Sequence, residues 1–284
     1  TRPSFSAGAA VRSVLIRASR GLVKRVLHDF FTGFEASAAA IEFAVPHLYK
    51  ALVGPARTGR AIAREHCMDY AAARHNMVEN QIRTNNVLDP VVTRALAEIP
   101  REIFLPKPMR GFAYVDDDLD VGGGRFIIEP LVLARLVSGA GIRPADVVLN
   151  IGDATGYATA VLSRLAQTVV ALECDGEWAG RGAQALNDLG VDNAAVVQGP
   201  LEQGYGAQAP YDVIVFSGAV TEIPPAICRQ LADGGRLVAV VDPVPGVGKG
   251  TLVVRVGDTF GHRTLFDAAT PLLPGFVPKP KFVF

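Results

Sequence analysis

The stretch that most constrains this chain is Val147 to Asp175, VVLNIGDATGYATAVLSRLAQTVVALECD. Val147-Val148-Leu149-Asn150-Ile151 is an apolar run of the kind a parallel strand shows when both its faces are buried. The turn Gly152-Asp153-Ala154-Thr155-Gly156 follows, then Ala158, Val161, Leu162 and Leu165 at helical spacing, then Val169 to Leu172 as a second buried strand ending at Glu173. Strand, turn, helix and strand in this order predict a doubly wound α/β domain whose ligand sits beyond the carboxyl ends of the strands. An acid about 20 residues past the glycine turn is placed to accept both hydroxyls of a ribose.

The turn also narrows the nucleotide. A dinucleotide fingerprint needs G-x-G-x-x-G, and only Gly152 and Gly156 are present, with Ala154 between them. NAD is therefore not expected. The turn is similar to the looser acid-x-G-x-G-x-G pattern of S-adenosylmethionine enzymes, with Asn150 in place of the acid and Ala154 in place of the middle glycine.

At 284 residues the chain is long enough for one large domain with an extension. A formal net charge of zero gives no bulk electrostatic reason for a nucleic-acid or membrane partner. The charge is uneven, however: residues 1–67 hold ten Lys or Arg against four Asp or Glu. Cys67, Cys174 and Cys228 form neither a metal-ligand spacing nor a disulfide framework, so no metal and a reducing, cytoplasmic compartment are expected.

Residues 1–67 contain a basic amphipathic pattern, Val11, Val14, Leu15, Ala18, Leu22, Val26 and Phe30 at helical spacing among five basic residues. Membrane-surface and targeting readings stand beside a plainer one, a weakly structured extension outside the chemistry. The apolar run from Ala36 to Val53 is broken by Glu42, Pro46, His47 and Lys50, so no membrane span is expected. A coherent pattern begins at Met68. Helices are expected at Tyr70–Arg83, Pro90–Ile99, Pro130–Ala140, Trp178–Leu189 and Ile223–Leu231, the last closed by Gly234-Gly235. Further strands are expected at Ala194–Val197, Tyr211–Val215, Leu237–Val241 and Thr251–Val256, and Pro271–Phe284 as a surface tail. The acids Asp116, Asp117, Asp118 and Asp120 read as a solvated turn, and His262 as a surface residue.

Several stretches together carry a resemblance. Ile99-Pro100-Arg101-Glu102-Ile103-Phe104-Leu105-Pro106, Ala113-Tyr114-Val115-Asp116 and Gly122-Gly123-Gly124-Arg125-Phe126-Ile127-Ile128-Glu129-Pro130 precede the glycine turn. Gln198-Gly199-Pro200-Leu201 and Gly234-Gly235-Arg236-Leu237 follow it. In order and spacing, Met68 to Phe284 resembles the protein-L-isoaspartate O-methyltransferases. The resemblance implies a Rossmann-like methyltransferase sheet, mostly parallel, with a C-terminal antiparallel hairpin. It implies S-adenosyl-L-methionine as cofactor, isoaspartyl peptides and proteins as acceptors, and a monomer.

Residue by residue, the resemblance assigns Gly152, Asp153, Ala154, Thr155, Gly156 and Tyr157 to the methionine portion and Glu173 with Cys174 to the ribose. Gly199, Pro200 and Leu201 fall at the adenine, and Ser217 at the cleft edge. Arg125 and Ile128 fall at the acceptor. Two departures bear on chemistry: Pro200 replaces the adenine-loop acid, while Phe126 and Ile128 replace the family's hydroxyl pair. Backbone donors of the Gly122–Arg125 loop are then expected to position the acceptor, with the Arg125 guanidinium able to add a grip of two parallel bonds on its carboxylate and Ile128 only walling the pocket. A methyltransferase for another acceptor and a noncatalytic cofactor-binding relative are the alternative readings.

Overall fold

The computed structural model describes residues 68–277, apart from 245 and 247. The readings made for residues 1–67 and for the last seven residues lie outside the described part. Helix α1 (Tyr70–Met77) opens the described chain and runs on through a π turn, Val78–Ile82. Helix α2 (Pro90–Glu98) starts where expected because Asp89 caps it, accepting from the Val91 amide at 2.8 Å, with Pro90 in the first turn. Strands β1 (Leu119–Gly122) and β2 (Arg125–Ile127) form a small antiparallel hairpin. Gly123 and Gly124, at φ of +64° and +70°, make its two-residue turn, a conformation that glycine adopts without steric cost.

Helix α3 (Pro130–Ala140) leads into the central sheet, and Gly141 ends it in the left-handed region. The sheet comprises β3 (Val147–Ile151), β4 (Thr168–Glu173), β5 (Ala194–Gln198), β6 (Tyr211–Val220), β7 (Leu231–Val241), β8 (Gly248–Val256) and β9 (Thr259–Ala268). Their order across the sheet is β5-β4-β3-β6-β7-β8-β9. The first five pair in parallel; β8 and β9 close the edge antiparallel. Helices α4 (Tyr157–Ser163) and α5 (Gly176–Asp188) make the crossovers from β3 to β4 and from β4 to β5.

The apolar runs are explained by burial on both faces. Val148, Val213 and Val238 join Leu133 and Leu136 on one side of the sheet. Their neighbours Leu149, Ile214 and Leu237 join Leu273 and Phe276 on the other. Each fully buried aliphatic side chain contributes about 1.5–3 kcal/mol, so such strands are fixed by packing rather than by backbone preference.

Two expectations are corrected. The helix expected over Ile223–Leu231 is only one turn, α6 (Pro225–Cys228). Leu231 already belongs to β7, paired with Tyr211, and residues 232–235 form an irregularity in that register with Gly234 at φ +74°. The strand's pairing wins over a short apolar helical pattern. The second correction is the tail. Residues after β9 do not lie on the surface as far as Phe276: Leu273 and Phe276 are buried, and Leu272 bridges Ala219 in parallel. The Ala219 amide donates to the Pro271 carbonyl at 2.9 Å and the Leu273 amide to the Ala219 carbonyl at 2.8 Å.

Candidate active site

The glycine turn at the end of β3 is held by a local polar network. Asp153 accepts from the Thr159 amide at 2.7 Å, the Thr159 hydroxyl at 2.8 Å and the Gly156 amide at 3.1 Å, so it caps α4. Burial pushes its carboxyl pKa up, against the pull of the Thr159 and Gly156 donors. Asn150 donates to the Thr159 hydroxyl at 2.9 Å and to Asp153 at 3.3 Å, and accepts from the Ser217 hydroxyl at 2.7 Å. Asn150 stands where the family pattern has an acid. A second carboxylate there would face the Asp153 carboxylate, and two like charges in one buried site oppose each other's ionisation. The amide instead bridges Asp153 to Ser217 on β6.

Glycine is required twice in this turn. Gly156, at φ +88°, brings α4 against α5 so closely that a Cβ would stand 3.2 Å from the Gly182 backbone. Gly152, at φ +82°, leaves a niche that the tail fills: a Cβ there would come 2.6 Å from Leu273 Cδ2. Gly218 leaves the same room from the β6 side, again 2.6 Å from Leu273. This pair of glycines explains why the tail buries itself.

Glu173 ends β4 and is 1 % exposed. Its Oε1 accepts from the Cys174 amide at 2.8 Å and the Asp175 amide at 3.1 Å, which fixes the carboxylate at the cleft. Its Oε2 accepts from Arg125 at 2.5 Å, and the same guanidinium nitrogen donates to the Gly152 carbonyl at 3.0 Å. Arg125 is thus engaged with Glu173 and the Gly152 carbonyl. Its buried guanidinium spans from β2 to the end of β4, a pairing between residues 48 apart that the sequence pattern does not suggest. The Arg125 Nε is buried without a partner among the described residues.

The remaining expected positions divide between cleft and core. The Gly199 amide donates to the Glu173 carbonyl at 3.0 Å, which brings the Gly199-Pro200-Leu201 loop beside the ribose acid. Leu201 is fully buried and Pro200 exposed. Ala154, Thr155 and Tyr157 are buried as whole residues. Cys174 lies beside Glu173, and burial together with that carboxylate raises its thiol to about 11, so it is not a thiolate nucleophile at neutral pH. On the acceptor side, Phe126, Ile128, Ser217 and Gly218 line a narrow cavity together with Thr270 to Leu273 and with Gly124 and Arg125.

Arg101 is a buried positioning residue that the residue patterns do not single out. It is fully buried, donates to the Ala113 carbonyl and the Ile128 carbonyl at 2.8 Å each, and stacks 4.7 Å from the Tyr157 ring centre. Burial lowers its pKa. It ties the Ala113 loop and the acceptor strand to the floor of the cofactor helix. The signal was its place in the Pro100-to-Pro106 stretch, where a charge sits among apolar residues.

The donor set fits an adenosyl sulfonium cofactor by its chemistry. A buried carboxylate preset by two backbone amides suits a ribose, and a glycine turn lets backbone approach. The Arg125 contact to Glu173 and the Leu273 side chain against Gly152 are what such a ligand would meet.

The comparisons agree with this geometry. Residues 72–256 match the family model described as protein-L-isoaspartate(D-aspartate) O-methyltransferase. Protein-L-isoaspartate O-methyltransferase 1 of Rhodopseudomonas palustris is 41% identical over 172 residues, which is 61% of this chain and 70% of that protein. The Roseiflexus castenholzii protein-L-isoaspartate O-methyltransferase is 36% identical over 213 residues, 73% of this chain and 95% of that one. A solved protein-L-isoaspartate O-methyltransferase superposes with a TM-score of 0.63 at 25% identity, over 72% of this chain and 67% of that chain. A Plasmodium falciparum protein of that description, in complex with S-adenosyl-L-homocysteine, shares the fold with a TM-score of 0.60 at 16% identity, over 72% of this chain and 97% of that chain. With the family model spanning both the Glu173 seat and the acceptor strand, the chain belongs to the protein-L-isoaspartate(D-aspartate) O-methyltransferase family.

Proposed function

We propose that this chain transfers the methyl group of S-adenosyl-L-methionine to the side-chain carboxylate of L-isoaspartyl residues in damaged proteins, so that the ester collapses to a succinimide and reopens as aspartate. The observation that carries the reading is the family match over residues 72–256, which covers the glycine turn, Glu173, the Gly199 loop and the Gly122–Pro130 stretch in one frame.

When bound, the cofactor supplies an electrophilic methyl group on a sulfonium centre. The chain's own work is positioning. An acceptor carboxylate is already ionised at neutral pH and is itself the nucleophile, so no general base is needed. Glu173 would hold the ribose, the Gly152–Gly156 backbone the methionine portion, and Gly199 with Leu201 the adenine. Backbone amides of the Gly122–Arg125 turn would meet the acceptor, and Phe126, Ile128 and Leu273 would exclude water around it. Holding the two reactants in line in a dry site supplies the acceleration.

A second reading is favoured by one observation: Phe126 and Ile128 give the cavity apolar walls where the family has hydroxyls. That composition suits an acceptor other than isoaspartate. Labelled-methyl transfer onto an isoaspartyl peptide, beside its aspartyl twin, separates the two. Methylation of the isoaspartyl peptide alone supports repair; inertness toward both, with the cofactor bound, gives the second reading.

We place the chemistry in residues 68–284 and assign residues 1–67 no part in it. A chain shortened to Met68–Phe284 should keep the cofactor affinity of the full chain, and its aggregation would contradict the assignment. Among the described residues no helix is long and apolar enough to cross a membrane, and Cys174 and Cys228 are free thiols. A monomer in a reducing compartment, the cytoplasm, is the setting we propose.

A further inference from the structure

We propose that Arg125 is a two-position residue that couples the cofactor site to the acceptor site. Three observations on one side chain carry this. Its guanidinium holds Glu173 Oε2 at 2.5 Å, on the carboxylate assigned to the ribose. Its Nε is buried with no partner among the described residues, although Arg125 is only 4 % exposed. Its side chain also lines the acceptor cavity with Ile128 and Ser217.

A guanidinium has five donors, and only one nitrogen of this one is used, shared between Glu173 and the Gly152 carbonyl. Glu173 Oε1 is already occupied by the Cys174 and Asp175 amides, so Oε2 is the oxygen that a ribose would engage. A ribose hydroxyl arriving at Oε2 meets the Arg125 donor already there, and we infer that it displaces that donor. Glu173 keeps its charge, but a displaced Arg125 is a buried cation without its hydrogen-bonded partner, which is strongly unfavourable. The cavity it lines is where an acceptor carboxylate would arrive, and a carboxylate can receive the planar fork in two parallel bonds. Cofactor binding thus creates the acceptor's anion site: the cofactor enters first and the acceptor second. By reciprocity, acceptor binding must tighten the cofactor by the same factor.

The proposal rests on the repair-methyltransferase reading for the identity of the acceptor, but its cofactor half is tested with no acceptor present. Titration of S-adenosyl-L-homocysteine into wild type and Arg125→Gln should show the variant binding about fivefold or more tighter, because the competing guanidinium is gone, an effect within the usual range of site coupling. A merely structural Arg125 gives the opposite result, since loss of the pair would disorder Glu173. Binding of an isoaspartyl peptide to wild type should then strengthen about tenfold when the enzyme is saturated with S-adenosyl-L-homocysteine. In Arg125→Gln that dependence should vanish, and in Arg125→Lys, which keeps the charge without the fork, it should be partly retained. Weaker S-adenosyl-L-homocysteine binding by both variants, or peptide affinity equally cofactor-dependent in wild type and Arg125→Gln, overturns the proposal. Failure of the wild type to methylate the peptide while Arg125→Gln still binds the product analogue more tightly would count against the repair reading and not against the switch.

Discussion

The two halves of the cleft are built differently. On the side we assign to the cofactor, Asn150, Asp153, Gly156 and Thr159 bond one another within ten residues of chain, with Ser217 added from β6, and Glu173 Oε1 takes its donors from the next two residues. The side we assign to the acceptor is assembled from distant segments: Arg125 reaches Glu173, Arg101 reaches Ile128, and Thr270 donates to Asp118. Among the described residues, the buried side-chain atoms without a partner include Arg101 Nη1 and Arg125 Nε on this side, and also Gln81 Oε1, Tyr157 Oη and Asp242 Oδ1. A locally closed network makes a rigid seat. A long-range assembly with unspent donors is the part that a ligand can rearrange.

The comparison breaks most severely at Arg101. Arg101→Met should cost about 3 kcal/mol of stability, because two buried carbonyls lose their donor at roughly 1–3 kcal/mol each. Urea unfolding would measure it. The acceptor KM should rise while cofactor affinity stays, and equal damage to both sites would show that the halves are not separate.

Glu173→Ala tests the other half. It should weaken cofactor binding by about 1.5–3 kcal/mol, the value of a hydrogen bond to a charged group. Calorimetry on the folded variant decides it. Unchanged affinity would put the ribose elsewhere.

Ile128→Ser restores a hydroxyl to the acceptor wall and should raise kcat/KM for an isoaspartyl peptide about tenfold, equivalent to one hydrogen bond of roughly 1.4 kcal/mol. Cofactor affinity should not change. A loss of turnover would mean that Ile128 is needed as packing.

The smallest effect is a pH dependence at Glu129, whose carboxyl is pushed up to about 7 by partial burial and by Asp116 beside it. The folded state then holds a proton that the unfolded state has released, so stability falls as pH rises from the ordinary glutamate range through about 7 and is level above it. Glu129→Gln should be more stable than wild type at pH 8, with the difference disappearing below pH 4.5. Thermal unfolding across pH would show it, and a difference constant with pH would exclude the titration.

What was legible in the sequence follows the same division. β3, the glycine turn, β4 and α3 fall where periodicity puts them, since a doubly buried strand and a Pro-started helix are local patterns. The position of Glu173 at the end of β4 was legible because it needs only a fixed distance from the turn. The tail was not: Leu273 sits in a short proline-bounded stretch, Pro271 to Pro274, without strand or helix periodicity, and only the missing Cβ atoms of Gly152 and Gly218, far upstream, show where it goes. The Arg125–Glu173 pair was hidden for the same reason, and the helix expected at Ile223–Leu231 lost its end to a strand partner 20 residues earlier. Asn150 reads as a departure in sequence and as a fitted replacement in the fold, because Asp153 already supplies the charge.

The central claim is that the Glu173 seat takes S-adenosyl-L-methionine. Isothermal titration of S-adenosyl-L-methionine, its demethylated product and NAD into the full chain tests it most directly. Saturable one-to-one binding of the first two, weakened in Glu173→Ala, and no binding of NAD is the expected result. Millimolar S-adenosyl-L-methionine producing neither heat nor a thermal shift would contradict it.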